Sequence, residues 1–134
     1  MDRQESFVIL SAELETASPL ENLHATATLS RQLREMGASF LIVDGVYKGV
    51  REVSFLVVLG SDECGRGPSF DTMSNVALNH GQESILHVDA NRFAEVLDCQ
   101  SRAVLVQGKF KQIGSPLPAN YTETPDGRTW GIVL

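Results

Sequence analysis

Two glutamates with polar neighbours are the residues whose types and spacing could support chemistry. Glu52 and Ser54 open one apolar segment of the chain, and Gln82 and Glu83 lie directly before another. Two carboxylates in one site push their pKa values apart, so that one can serve as an acid and the other as a base. The pattern is therefore consistent with a shallow site that binds a small ligand or supports a hydrolase-type reaction.

Further polar positions extend this candidate site. Asn22 shares the apolar stripe of a predicted helix with Leu29 and Leu33, and a polar side chain on a buried face needs a hydrogen-bond partner. Tyr47 and Lys48 lie between two glycines, in a segment that is typical of an exposed loop. The candidate binding residues are Asn22, Tyr47, Lys48, Glu52, Ser54, Gln82, Glu83 and Ser84.

A purely structural interpretation of the same residues stays open. In that case Asn22 bonds the backbone of a loop, and the segment 82–84 bonds a neighbouring turn. Glu52 then pairs with Arg51 or Lys48. The two interpretations differ in whether the polar atoms are already satisfied within the chain.

A nuclease-like pattern is the weaker chemical alternative. Asp44 followed by Glu52-Val53-Ser54 resembles the Asp…Glu-x-Lys arrangement of metal-dependent nucleases, in which two carboxylates bind Mg²⁺. Here Ser54 stands where the lysine is needed. The simpler interpretation is that Asp44 begins a turn and Glu52 faces solvent.

The chain lacks the motifs of the common catalytic and cofactor-binding sites. It contains no Gly-x-Gly-x-x-Gly fingerprint, no Walker A sequence and no Gly-x-Ser-x-Gly elbow. Its three histidines have no zinc-type spacing to cysteine or carboxylate. We therefore expect no cofactor and no metal, and we assign no catalytic residue.

The elements that must position these residues alternate between strands and two helices. Ser18-Pro19-Leu20-Glu21 is a capping-box helix start, and the helix runs to about Met36. The other predicted elements are strands Phe7–Ala12, Ser39–Val43, Arg51–Leu59, Ser84–Val88, Ala103–Phe110 and Thr129–Leu134, and a helix over Ser69–Asn79. This order predicts an α/β (α+β) sandwich: a β-α-β-β-α-β core with extra C-terminal strands, and two helices on one mixed sheet.

Length and charge restrict the remaining possibilities. The 134 residues suggest a single domain, 1–134, and the net charge of −6 argues against direct nucleic-acid binding. The apolar runs are too short to span a membrane, and the N-terminus lacks a signal peptide. Cys64 and Cys99 have no C-x-x-C neighbour, which favours incidental thiols. We expect a cytoplasmic protein.

Three short motifs resemble a known family. Glu21-Asn22, Glu52-Val53-Ser54-Phe55 and Gly81-Gln82-Glu83-Ser84 are similar to a small α/β family of unknown function, found in bacteria and tailed phages. The resemblance covers roughly Phe7 to Val88, and the first strand differs, ending in Ser11-Ala12-Glu13 where an aromatic-Asn pair is usual. The resemblance implies the fold and brings no activity or cofactor. Its phage members imply a role in host takeover or anti-defence.

Two classes of function follow from these observations. The leading hypothesis is a small acidic binding protein, a phage-encoded inhibitor of a host or defence protein, which acts by protein–protein contact through the Tyr47-Lys48 loop rather than as an enzyme. Its partner is then an unknown host protein, without nucleic acid or membrane, and a homo-oligomer can form through an exposed C-terminal strand edge. The alternative is a small-ligand-binding protein or hydrolase-type enzyme that uses Glu52, Ser54, Gln82 and Glu83.

Overall fold

Eight strands and two helices make up the part of the chain that the structure describes. The structure is a computed structural model, which describes residues 5–60 and 67–134. Cys64, predicted to be an incidental thiol, lies outside the described residues. In chain order the elements are β1 (Phe7–Ser11), α1 (Pro19–Glu35), β2 (Phe40–Tyr47), β3 (Val50–Val58), α2 (Phe70–Asn79), β4 (Ser84–Val88), β5 (Phe93–Asp98), β6 (Val104–Ile113), β7 (Tyr121–Glu123) and β8 (Thr129–Val133).

The strands form a closed antiparallel barrel in the order β1-β3-β2-β7-β8-β6-β5-β4, with β4 pairing back to β1. The predicted α/β sandwich with a mixed sheet is therefore wrong. The C-terminal strands do not extend a sheet, because β7 pairs with β2 and β5 pairs with β4, which closes the ring. Among the described strands, closure leaves no free edge of the kind expected for dimerisation.

Helix α1 begins as the sequence predicts. The Ser18 hydroxyl accepts a hydrogen bond from the Glu21 backbone N–H at 3.1 Å, and the Ser18 N–H donates to the Glu21 carboxylate at 2.9 Å. This capping box satisfies two N–H groups that have no partner within the helix. Within the described residues, neither α1 nor α2 combines the length and apolarity that a bilayer-spanning helix requires.

The barrel wall separates two hydrophobic cores. The outer core lies between the wall and the two helices and contains Phe55 and Val57 of β3 together with Leu29 and Leu33 of α1. The inner core fills the barrel and contains Leu56 of β3. Because successive strand residues point to opposite faces, the even-numbered residues of β3 point into the barrel and the odd-numbered ones towards the helices. Glu52 and Ser54 therefore share the inward face with Leu56.

Candidate functional site

One end of the barrel interior is polar, whereas the rest of it is apolar. Along β3 the inward residue Leu56 is followed towards the strand start by Ser54 and then Glu52. The directly opposite residues continue this polar end across the wall: Ser11 faces Ser54, Gly45 faces Glu52, and Thr122 faces Gly45. We call this group the polar mouth, and its members are Ser11, Gly45, Glu52, Ser54 and Thr122.

A second carboxylate, that of Glu13, is fixed beside the polar mouth. The Glu13 carboxylate accepts a hydrogen bond from the Val53 N–H at 2.5 Å, and the Ser11 hydroxyl donates to the Val53 carbonyl at 2.8 Å. The Glu13 N–H donates to the Ser11 hydroxyl at 3.0 Å. Together these bonds attach the segment after β1 to the start of β3, next to Glu52.

Asn22 and Gln82 hold the same segment from outside the barrel wall. The Asn22 amide accepts a hydrogen bond from the Leu14 N–H at 2.8 Å and donates to the Leu14 carbonyl at 3.1 Å. The Gln82 amide donates to the Glu13 carbonyl at 2.8 Å. Both predicted site residues thus bond loop backbone, as the structural interpretation proposed, and they position the segment that carries Glu13.

Glu52 is a half-buried carboxylate without a compensating cation. Burial raises its pKa above the ordinary value of 4.5, and the negative charge of Glu13 raises it further. Within residues 5–60 and 67–134 its carboxylate has no hydrogen-bond or ion-pair partner. Arg51 contacts Asp44 and Glu123 instead, and the Lys48 ammonium lies 5.3 Å from the centre of the Tyr47 ring. The site is therefore suited to a positively charged ligand.

Tyr47 and Lys48 form the tip of the β2–β3 hairpin, at the same end of the barrel as the polar mouth. Lys48 and Gly49 both have positive φ angles, of 51° and 80°, as in a tight two-residue hairpin turn. The Lys48 N–H donates to the Asn120 side-chain oxygen at 2.9 Å, which ties the tip to the loop before β7. Tyr47 is exposed.

Glu83 and Ser84 lie at the start of β4. The Glu83 side chain is exposed. The backbone carbonyl of Glu83 accepts a hydrogen bond from the Cys99 N–H at 2.9 Å. Ser84 is directly opposite Asp98 of β5 and is partly buried. The carboxylate whose charge acts on Glu52 is that of Glu13.

The Asp44 and Glu52 carboxylates do not form a nuclease-type metal site. Asp44 is opposite Val53, whereas Glu52 is opposite Gly45, so the two side chains point to opposite faces of the sheet. Asp44 lies 3.5 Å from Arg51. The described part of the chain holds no cluster of three or more histidine, cysteine or acidic side chains suited to a metal ion.

Two clefts occur elsewhere on the barrel. One, of about 260 Å³, lies at the opposite end of β3 and is lined by apolar residues that include Phe7, Phe40 and Leu56. The other, of about 400 Å³, lies beside Phe70 and His87 at the start of α2. Glu52 lines neither cleft, so its chemistry belongs to the open polar mouth.

Four contributors to the site were missed from the sequence: Ser11, Glu13, Gly45 and Thr122. The sequence signal for Ser11 and Glu13 is their spacing of two residues at the end of an apolar strand, which places both on one face. Thr122 carries no comparable signal, because only the pairing of the three-residue strand β7 with β2 brings it opposite Gly45.

We expect Glu13→Gln to lower the pKa of Glu52. The substitution removes the negative charge that disfavours ionisation of Glu52 but leaves the burial, so the pKa should fall towards 4.5 without reaching it. An NMR pH titration of the Glu52 side-chain carboxyl carbon measures this shift. Glu83→Gln, at an exposed position, is the matched control, and an unchanged Glu52 pKa in Glu13→Gln would contradict the proximity of the two charges.

Comparison with known proteins gives one family. The model of the S-adenosylmethionine lyase family matches residues 8–133, which includes every strand of the barrel at least in part. A search of curated proteins finds no significant match.

This match overturns the leading functional hypothesis from the sequence. An inhibitor that acts by protein contact conflicts with a family of lyases, and the alternative of a ligand-binding or enzymatic site agrees with it better. The expectation of phage inhibition fails with that hypothesis, and the expectation of an α/β architecture fails because the strands form a closed barrel. The chain belongs to the S-adenosylmethionine lyase family.

Proposed function

We propose that this protein is a lyase that breaks a carbon–sulfur bond of S-adenosylmethionine. The observation that carries the proposal is the family match over residues 8–133. A lyase adds no water to the bond that it breaks, so its products together contain the atoms of the substrate. The polar mouth is the site that we assign to this reaction.

The charge of the polar mouth supports a cationic substrate. S-adenosylmethionine carries a sulfonium and an ammonium group against one carboxylate, so that its net charge near neutral pH is positive. Glu52 has no cationic partner among the described residues, and the carboxylate of Glu13 is its neighbour. A bound cation offsets the free-energy cost of holding Glu52 ionised in its half-buried position.

The sulfonium group makes its attached carbons electrophilic, because the departing thioether is neutral. Two routes break the bond to the amino-acid chain without water. The substrate carboxylate can displace the thioether and close a lactone, or a base can remove a proton and form an alkene with loss of the same thioether. The two four-carbon products are isomers, and only the second route releases a proton. Ionised Glu52 is the base available in the polar mouth for that second route.

The test is to incubate the purified protein with S-adenosylmethionine in ¹⁸O-labelled water and to analyse the products by mass spectrometry. We expect loss of the substrate, appearance of the neutral thioether, and no ¹⁸O in the products at early times. Proton NMR of the four-carbon product distinguishes lactone from alkene. Unchanged substrate would contradict the proposal, and ¹⁸O incorporated at the initial rate would make the protein a hydrolase instead.

A further inference from the structure

A glycine interrupts the row of side chains in the wall of the polar mouth. Glu52, Gly45 and Thr122 are directly opposite one another on β3, β2 and β7, and thus form one row across three strands. Opposite residues in antiparallel strands place their Cβ atoms about 4.5–5.5 Å apart. Because Gly45 has no side chain, the position between Glu52 and Thr122 is occupied only by the nearby Ser54 hydroxyl, and we call this position the Gly45 notch.

The hydroxyl of Ser54 points into this notch. A Cβ atom built on Gly45 would lie 2.7 Å from the Ser54 Oγ and 3.7 Å from the Glu52 Cγ. The first distance is shorter than a carbon–oxygen contact allows, so a side chain at position 45 would displace the Ser54 hydroxyl from its place in the notch. Glu52 and Thr122 therefore flank the notch, and Ser54 forms its floor.

The two hydroxyls that line the notch belong to largely buried residues but are not engaged within the described part of the chain. Ser54 is 3% exposed and Thr122 is 7% exposed, and within the described residues neither side chain takes part in a hydrogen bond. Buried hydroxyls in folded proteins are nearly always hydrogen-bonded. Thr124, two residues after Thr122, is equally buried, and its hydroxyl hydrogen-bonds to the Asp126 carboxylate and the Arg128 carbonyl. Neither the Ser54 nor the Thr122 oxygen is fully enclosed without a partner, as the Ser74 hydroxyl is, so both stay accessible to a ligand group.

The chemistry of the notch selects an ammonium group. It offers three acceptor groups, which are the Glu52 carboxylate and the Ser54 and Thr122 hydroxyl oxygens, and an ammonium carries three N–H donors with one positive charge. A sulfonium has no hydrogen to donate to the hydroxyls, and a carboxylate would be repelled by Glu52. We propose that the Gly45 notch binds the α-ammonium group of the substrate. This assignment rests on the proposed function.

Anchoring the ammonium orients the reacting part of the substrate. Three carbon atoms separate the ammonium nitrogen from the sulfonium sulfur in S-adenosylmethionine. A fixed ammonium therefore limits the positions of the breaking carbon–sulfur bond, which lowers the entropy cost of reaching the reactive geometry. Thr122 acts in this way as a binding and specificity residue.

We expect Thr122→Val to raise the KM for S-adenosylmethionine by about tenfold to a hundredfold, which is the usual effect of losing a hydrogen bond to a charged group. The substitution keeps the shape of the side chain and removes its hydroxyl. The Ki of the desamino analogue, in which hydrogen replaces the α-amino group, should be unchanged in this variant. Thr122→Ser retains the hydroxyl and should restore the KM.

A second pair of variants tests whether an added methyl group in the notch weakens substrate binding. Gly45→Ala places a methyl group against the Ser54 hydroxyl and should also raise the KM. Gly114→Ala is the matched control, because a Cβ atom at Gly114 meets no atom within 4 Å. Circular dichroism melts identify any variant whose fold is damaged.

The outcomes separate this assignment from the proposed function. Equal weakening of S-adenosylmethionine and its desamino analogue by Thr122→Val, or no weakening of either, would overturn the ammonium assignment alone, because the wild type would still cleave the substrate. A wild type that neither binds nor cleaves S-adenosylmethionine would overturn both.

Discussion

Glu52→Gln is expected to lower kcat/KM for S-adenosylmethionine by about a hundredfold or more and, at neutral pH, to raise the melting temperature. The substitution preserves the size of the side chain and removes its negative charge. Charge-assisted hydrogen bonds are worth about 1.5–3 kcal/mol each, and a carboxylate in a half-buried site also supplies a Coulombic attraction to both cations of the substrate. Initial rates from the mass-spectrometric assay give kcat/KM.

Glu52→Gln should increase stability although it lowers activity, because the pKa of Glu52 is raised in the folded protein. Burial, and then the charge of Glu13, make the folded protein hold the Glu52 proton more tightly than the unfolded chain does. The stability that this proton binding contributes is complete below the ordinary pKa of 4.5 and is lost as the pH rises through the folded value. At neutral pH, ionisation of Glu52 in the folded protein lowers the free energy of unfolding, and a glutamine at this position avoids that loss. The gain in melting temperature should therefore shrink as the pH falls towards 4.5.

The matched control for Glu52→Gln is Glu35→Gln. Glu35 lies at the exposed end of α1, where its side chain is 69% exposed and 3.9 Å from Arg31. An ion pair of this kind contributes little to stability, so neither activity nor melting temperature should change appreciably. Full activity of Glu52→Gln would remove this carboxylate from the site, and a lower melting temperature would show that Glu52 makes a stabilising contact.

Phe55→Ala is expected to have the largest effect on stability, a loss of about 3–5 kcal/mol. Phe55 is 1% exposed in the outer core, and its ring packs edge-on against that of Phe40 with the centroids 5.7 Å apart. Removing the ring leaves a cavity between the barrel wall and the helices. Folded domains are stable by only about 5–15 kcal/mol, so the loss is a large fraction of the total.

Urea denaturation at equilibrium measures the effect of Phe55→Ala. Leu23→Ala is the control, because Leu23 on α1 is 66% exposed and its truncation removes little buried surface. We expect a change of no more than about 0.5 kcal/mol for this control. A loss of less than about 1 kcal/mol for Phe55→Ala would contradict the placement of its ring in the outer core.

Local signals in the sequence were sufficient for individual elements. The Ser18 capping box predicts the start of α1, which the structure confirms, and Gly37 with its positive φ of 70° lies just past the end of that helix. The strand predicted over Arg51–Leu59 corresponds to β3 over Val50–Val58. These signals involve residues a few positions apart, so a single sequence contains them.

Closure of the barrel was not predictable in the same way. Strand β3 is apolar on both faces, a pattern that fits equally a sheet covered by helices and a barrel wall with cores on both sides. The distinction depends on the pairing of β2 with β7 and of β1 with β4, segments that are far apart in the chain. The sequence of segment 92–97 fits a short helix as well as a strand, and it lies largely in β5.

The candidate site likewise contains residues that local sequence signals identify and residues that only strand pairing brings in. Glu52 and Ser54 could be identified because they are polar positions on a strand that is apolar further along. The position of Glu13 beside Glu52 depends on the register of β1 with β3. The position of Thr122 opposite Gly45 depends on the pairing of β7 with β2. Function was less accessible still, since acidic charge and missing motifs favoured a binding protein, whereas the family similarity is spread over residues 8–133.

The most direct test of the central claim is to measure loss of S-adenosylmethionine by wild type and by Glu52→Gln side by side, with both proteins shown to be folded. We predict that the wild type converts the substrate to a neutral thioether and a four-carbon product without ¹⁸O from the water, and that Glu52→Gln is slower by about a hundredfold or more. Wild-type protein that leaves S-adenosylmethionine intact, or a Glu52→Gln variant that is equally fast, would contradict the assignment of a lyase site at the polar mouth.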